Sequence, residues 1–279
     1  MKLLFCILLL SSIQSAWSQV FENEAAAREK HFIYEVKQID EFFERFNNDS
    51  SSFIRDVYKQ KGIKFKIERP ALIRSLFNVV SHSWSASQVD SFIIKAMAIQ
   101  MPSRKDYYGE GWFAEAICQF NYNGNTLDIP VILRVSTDKS KHSKWIIAGI
   151  RQTSIKADGK IIDGGNSISI DHFISPVSHT NYFIELEKAF DDKAYLFSYF
   201  DPTILQKSQS VVFYNAILKN QVKFLHVKEI KYHFLQVSDY IFTVENFQRD
   251  ALNSGWLINR LWKASPTEKE NFKRTLLGE

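Results

Sequence analysis

The hydrophobic positions from Phe32 onward recur at spacings of three and four: Phe32, Val36, Ile39, Phe42, Phe43 and Phe46. That period lines one face of a helix, and Asn47 and Asn48 offer it an end. Ser50, Ser51 and Ser52 predict the cap of a second short helix reaching Tyr58, because serine oxygens accept the unpaired N–H groups of a first turn. Gly62 breaks that helix, and Ile63, Phe65 and Ile67 then alternate with polar neighbours as a short half-buried strand. Pro70 suits the first turn of another helix, carrying Leu72, Ile73, Leu76 and Phe77. Residues 85–100 fit a helix and a strand equally.

Further along, the pattern becomes that of strands. Trp112 to Tyr122 and Leu127 to Val135 predict two strands around Asn123-Gly124, a dipeptide that tolerates positive φ and so favours a tight hairpin. Trp145 to Ile150 is a third strand. The order then recurs. Tyr182, Phe183, Leu186 and Phe190 form a helical stripe, and a second helix spans roughly Leu205 to Leu218. Strands follow at Val222–Val237, Tyr240–Phe247 and Trp256–Trp262. Ser265, Pro266 and Glu268 form a capping box with proline at the first position, starting a last helix with Phe272, Leu276 and Leu277 on its apolar side.

The stretches SKWIIAGIRQ and SGWLINRLWK place Trp145 and Trp256 at the opening of the last strand of each half. FFERFNND and ELEKAFDD each end an amphipathic helix on phenylalanine and a polar pair. Turn signals at Asp158-Gly159 and Asp163-Gly164-Gly165 fall between the halves. The chain therefore reads as α+β in two tandem domains, 19–156 and a shorter 172–279, with a linker at 157–171. Each is expected to pack N-terminal helices on a curved antiparallel β-sheet.

The first residues change the picture of where the chain works. Lys2 is the only charge before Glu22, Leu3 to Leu10 are apolar, and small and polar residues follow. That is the layout of a secretory signal peptide, with Ala16 and Ser18 setting the cut after Ser18. The expectation is an exported protein, periplasmic or extracellular, with no membrane span after cleavage. Losing residues 1–18 removes Cys6 and leaves Cys118 alone, which excludes an internal disulfide. Stability must come from the core, and 45% hydrophobic residues with 23 Phe supply one. The formal charge of +4 is scattered, as in KQKGIKFK and DKSKHSK, whereas nucleic-acid binders mass their positive charge. No nucleic-acid partner is expected.

Chemical motifs are sparse. The chain has no nucleophile elbow, phosphate-cradling loop or zinc-protease helix. His226 and His233 stand seven apart on one predicted strand, which puts them on opposite faces; His172 and His179 flank the Pro176 turn without a cysteine or clear carboxylate. No metal or cofactor is expected. Cys118 has no local neighbour that would activate its thiol. Aromatic residues are the most suggestive feature. Tyr107, Trp112, Trp145 and Trp256 are the candidate ligand-binding residues, because aromatic side chains line clefts and interfaces as well as cores.

Helices followed by a strongly bent antiparallel sheet resemble the cone of nuclear transport factor two and ketosteroid isomerase. The likeness rests on VKQIDEFFERF, WFAEAICQFNYNGNTLDIPVILRV and WIIAGI, and in the second half on NYFIELEKAF, YIFTVENF and WLINRLW. The wording is also similar to exported proteins of Bacteroidetes. Members of this superfold include enzymes and plain binding modules, so the resemblance implies a fold rather than an activity. It implies acid, base or tyrosine groups inside the cone where there is catalysis. Asp128, Glu115 and Glu245 are the strand acids that an inward site would use, although a solvent-facing place suits them better. The leading expectation is a noncatalytic module that binds a protein or small apolar molecule in the concave face of one sheet. The alternatives are a carboxylate-dependent hydrolase or isomerase and an envelope assembly protein.

Overall fold

The phenylalanine stripe divides in two. Glu35–Val36 form a short strand, β1, and helix α1 runs Ile39–Asn47, ending where Asn48 turns left-handed at φ 57°. Both come from a computed structural model, which describes residues 35–49, 53–60, 62, 68–81, 83–97, 106–156, 169–206, 208–250 and 252–279. The expected leader at 1–18, the strand at 63–67 and most of the linker at 157–171 lie outside these residues.

The remaining helices of the first half are α2 (Phe53–Gln60), α3 (Arg69–Ser75) and α4 (Ala86–Met97), so the ambiguous stretch is helical. Strands β2 (Trp112–Tyr122), β3 (Asn125–Thr137) and β4 (Ser143–Ile150) follow. The second half begins with 3₁₀ turns, then α5 (Glu185–Asp191), further 3₁₀ turns and α6 (Ser208–Leu218). Strands β5 (Val222–Phe234), β6 (Tyr240–Phe247) and β7 (Ser254–Lys263) come next, and α7 (Pro266–Leu277) closes the chain with the expected capping box on Ser265.

The sequence predicts two sheets, one per half; the structure has one. Its strand order is β1-β7-β6-β5-β2-β3-β4. The first strand of each meander would be an open edge in isolation, and edges invite pairing. Here β2 and β5 pair with each other, antiparallel, along nearly their whole length. The fold is therefore α+β on a single seven-stranded mixed sheet, the parallel contact being β1 with β7.

One rank of register partners crosses the whole sheet: Phe200, Ile147, Leu133, Ala114, Tyr232, Val244, Ile258 and Phe77. Read outward from the central pair, Ala114 and Tyr232, each side runs aliphatic, isoleucine, phenylalanine: Leu133, Ile147, Phe200 on one and Val244, Ile258, Phe77 on the other. Ile147 lies two residues beyond Trp145, and Ile258 two beyond Trp256. Each receives a parallel bridge from a phenylalanine, and the next residue's N–H bonds back to it: Asp201 N–H to Ile147 O and Asn78 N–H to Ile258 O, both at 2.9 Å. The β3–β4 and β6–β7 ladders each shift register just beside this rank, leaving Ala148 and Asn259 as the extra residues.

Helices α1, α3, α4, α5 and α6 all bury their apolar stripes in one core on one face of the sheet. Aromatic rings fill it. Phe234 stacks on Phe242 at 4.7 Å and on Trp112 at 5.6 Å, and Phe42 and Phe46 close over them. Helix α7 takes the other face, setting Leu276 and Leu277 on Phe113, Ile132 and Ala148.

Gly149 permits that docking. A Cβ there would lie 2.9 Å from both the Cα and the carbonyl oxygen of Leu277, and backbone atoms cannot swing aside. Gly149→Ala is expected to cost about 2 kcal/mol, the range for overpacking a filled contact. It should also loosen the end of α7, which faster amide exchange at Leu276 and Leu277 would report.

Candidate functional site

The aromatic candidates divide between core and surface. Trp112, Trp145 and Trp256 are 2%, 0% and 4% exposed. Trp145 packs edge-on against Trp112 at 5.2 Å and Phe183 at 5.0 Å, and Trp256 against Tyr232 at 4.8 Å. Their rings are surrounded by the protein's own side chains, so these three are core residues; only Trp112 also borders a surface groove, beside α7. Tyr107 is half-buried and lines a hollow of about 340 Å³ with Asp40, Asp106, Tyr108 and His179. Its hydroxyl donates to Pro176 O at 2.7 Å, a carbonyl that also accepts from Trp145 Nε1 at 3.0 Å. Burial pushes the Tyr107 phenol up, so it stays protonated.

The expected binding surface, the helix-covered face, is filled. Open space lies on the opposite face, beside α7. Directly paired residues share a face of a sheet. One row there reads Phe113, His233, Thr243 and Arg260, and the next reads Ile132, Glu115, Lys231 and Glu245. Together with Arg151, Trp262 and Phe272 of α7, Glu115, Lys231, His233, Thr243 and Arg260 surround a hollow of about 450 Å³, with Glu245 just behind it. Residues from β2, β5, β6, β7 and α7 meet in it, astride the β2–β5 seam.

Its floor is polar yet buried. Glu115, His233 and Thr243 are 7%, 6% and 3% exposed. His233 Nε2 donates to Glu115 Oε2 at 2.6 Å, and the Arg151 guanidinium pairs with Glu115 Oε1. Both oxygens of that carboxylate are thereby held. Glu245 is held likewise, accepting from Thr243 Oγ1 at 3.3 Å and Asn259 Nδ2 at 3.1 Å. Burial, with Lys231 and Arg151 nearby, pulls the His233 pKa down to about 3. The imidazole is therefore neutral near pH 7. Its Nδ1 is buried without a hydrogen-bond partner among the described residues. Phe272 covers the ring at 5.7 Å and meets Trp262 edge-on at 5.5 Å, giving the hollow an aromatic wall.

The three strand acids thus have different places. Glu115 and Glu245 belong to this cluster. Asp128 is exposed on the same sheet, held below the usual carboxylate range by hydrogen bonds from Lys228 and Gln119. The predicted parity of His226 and His233 is corrected. Lys228 is an extra residue between them, skipped by the β2–β5 register, and it resets the alternation so that both face the same side. Seven residues of strand still hold them roughly 20 Å apart. His172 bonds Asp192, and His179 shares its Nδ1 with Tyr107 and Pro176, so that pair does not converge either. Among the described residues no group of three His, Cys, Asp or Glu could hold a metal. Cys118 is buried, and burial raises its thiol, which keeps it unreactive. No helix of the described residues is long and apolar enough to cross a membrane.

Glu115 and Glu245 are the strand signals for this site, Glu115 as a lone charge in the apolar run WFAEAIC. Nothing local linked Glu115 to His233, 118 residues away. No protein-family model, curated protein or solved structure matches the chain.

Proposed function

We propose that the chain is an exported, noncatalytic binding module that takes a small ligand in the hollow on the β2–β5 seam. The observation that carries this reading is a buried Glu115–His233 pair, hydrogen-bonded to the half-exposed Arg151, forming the floor of an open, aromatic-walled hollow. Buried polar groups are costly, and a cluster built for stability alone would be closed over. The volume of about 450 Å³ falls within the range of small-molecule sites. Catalysis is disfavoured by the same geometry. Both carboxylates already use both oxygens within the protein, and a histidine with its pKa near 3 is a weak base whose open nitrogen is buried.

The reading includes the architecture. The matching rank of register partners, the paired bulges and the two bridged phenylalanines support two copies of one α+β unit in tandem, fused strand to strand. In that account Trp145 corresponds to Trp256, and the ligand site belongs to neither copy but to their junction. The cone resemblance enters as the proposed form of each copy. Export rests on the leader pattern of residues 1–18.

The test is ligand screening on the full mature chain labelled with 5-fluorotryptophan. Trp262 lines the hollow, so a bound ligand shifts its fluorine resonance, assigned with Trp262→Phe, while the core ring Trp145 stays put. A fragment set of acids, amines and neutral aromatics that leaves Trp262 unmoved, or moves only other rings, contradicts the site.

A further inference from the structure

Resting on that hollow as a ligand site, we infer that its ligand is an organic acid: a carboxylate on an aromatic or otherwise apolar body. The hydrogen-bonding inventory of the walls carries the inference. Each oxygen of Glu115 and Glu245 already accepts one hydrogen bond, from His233, Arg151, Thr243 or Asn259. One cationic group lacks a counter-ion, since Arg151 pairs with Glu115 and Lys231 lies within ion-pair distance of Glu245 and Glu229. Arg260 is exposed on the rim and has no carboxylate within ion-pair distance among the described residues. Lys231 stands 3.8 Å from Glu245 and 3.9 Å from Glu229, too far for a hydrogen bond to either. Arg151 keeps a buried Nε with no partner.

The hollow therefore presents unmet donors and positive charge on one side. A ligand that only accepts, and carries a negative charge, satisfies them. An ammonium ligand would meet the unmatched charge of Arg260, and carboxylates already paired with Arg151 and Lys231. Beside Arg260, Trp262 and Phe272 offer flat apolar surface, which a headgroup alone would leave uncovered. Arg260 and Trp262 stand two residues apart on one face of β7, so a carboxylate can meet Arg260 while its body lies against Trp262. Guanidinium and carboxylate match as planar two-point partners, and such charge-assisted bonds are the strong ones.

The experiment titrates phenylacetate, benzyl alcohol and phenethylamine separately into the labelled mature chain, reading the Trp262 fluorine resonance. Phenylacetate is expected to shift it with saturation, and the alcohol and amine to bind at least about tenfold more weakly, as the loss of a charge-assisted bond implies. Arg260→Gln should weaken phenylacetate about tenfold or more. Lys263→Gln, on the same strand but outside the hollow, should leave it unchanged and serve as the folding control. Raising salt should weaken the acid alone. Equal binding of all three compounds, tighter binding of the amine, or indifference to Arg260→Gln overturns the acid assignment while leaving the hollow as a site. Silence of Trp262 toward all three overturns both.

Discussion

Gly255→Val unfolds the first helix from the sheet. Gly255 has φ +85°, and a Cβ there would lie 2.0 Å from the carbonyl oxygen of Val36 and 2.6 Å from its carbon. The clash is with backbone, so only separation of β1 from β7 relieves it. That separation exposes Val36, which is fully buried, and pulls on α1, whose Phe42, Phe43 and Phe46 lie in the core. Left-handed φ alone costs an L-residue about 1–2 kcal/mol. With the lost pairing and packing, the expected destabilisation is on the order of 4 kcal/mol or more, in the tail of single substitutions. Gly124 is the internal comparison. It has φ +81° but nothing within 4 Å of its would-be Cβ. Gly124→Val should cost only the conformational penalty, about 1–2 kcal/mol. Urea denaturation of the two variants measures the difference, and equal midpoints would show that β1 does not lie on Gly255.

Acid weakens the fold through His233, well before most carboxylates titrate. In the folded chain the imidazole protonates only near pH 3, whereas in the unfolded chain it does so at its ordinary 6.5. Between those values the unfolded state binds the extra proton. Stability from this residue is fully present above about pH 6.5 and is lost as pH falls toward 3, with a slope of up to about 1.4 kcal/mol per pH unit. Over the whole window the loss is on the order of 4 kcal/mol. The groups facing the ring all bear on it: Glu115 from β2, Lys231 from β5, Thr243 and Glu245 from β6, Arg260 from β7, Arg151 and Phe272. His179, also held low by burial, adds a contribution of the same sign, so the parent is compared with His233→Gln. The variant keeps a donor for Glu115 but cannot titrate. Its stability should be flatter between pH 6.5 and 4.5, where few carboxylates change charge. Identical pH profiles would mean that His233 is not buried beneath Phe272.

Local chemistry made the elements legible. The strand Tyr240–Phe247 has its predicted ends, Trp112–Tyr122 likewise, and Ser265 caps α7 through Glu268 as the spacing implies. Elements shaped by their surroundings were less so. Val36 continues the helical period of α1 but is drawn into β1, because the edge of β7 offers it backbone partners. The single sheet was not legible. Whether the free edges of β2 and β5 meet depends on how two meanders dock, and no short-range signal encodes that choice. The site shares this difficulty. Alternation could assign Glu115 to a face, but the unforeseen bulge at Lys228 broke the same logic for His226 and His233. The tryptophans read as candidate ligand-binding residues lie in the core; their chemistry serves a core and a cleft equally well, and only packing decides.

The seam between β2 and β5 is the point on which the site, the tandem architecture and the ligand assignment converge. Backbone cross-peaks in an NMR spectrum of the protein test it most directly. The account predicts contacts linking residues 112–122 to 222–234, antiparallel, with Ala114 opposite Tyr232. Cross-peaks that confine 112–122 to the β3 strand and 222–234 to the β6 strand would contradict it, and would leave the hollow with only half of its walls.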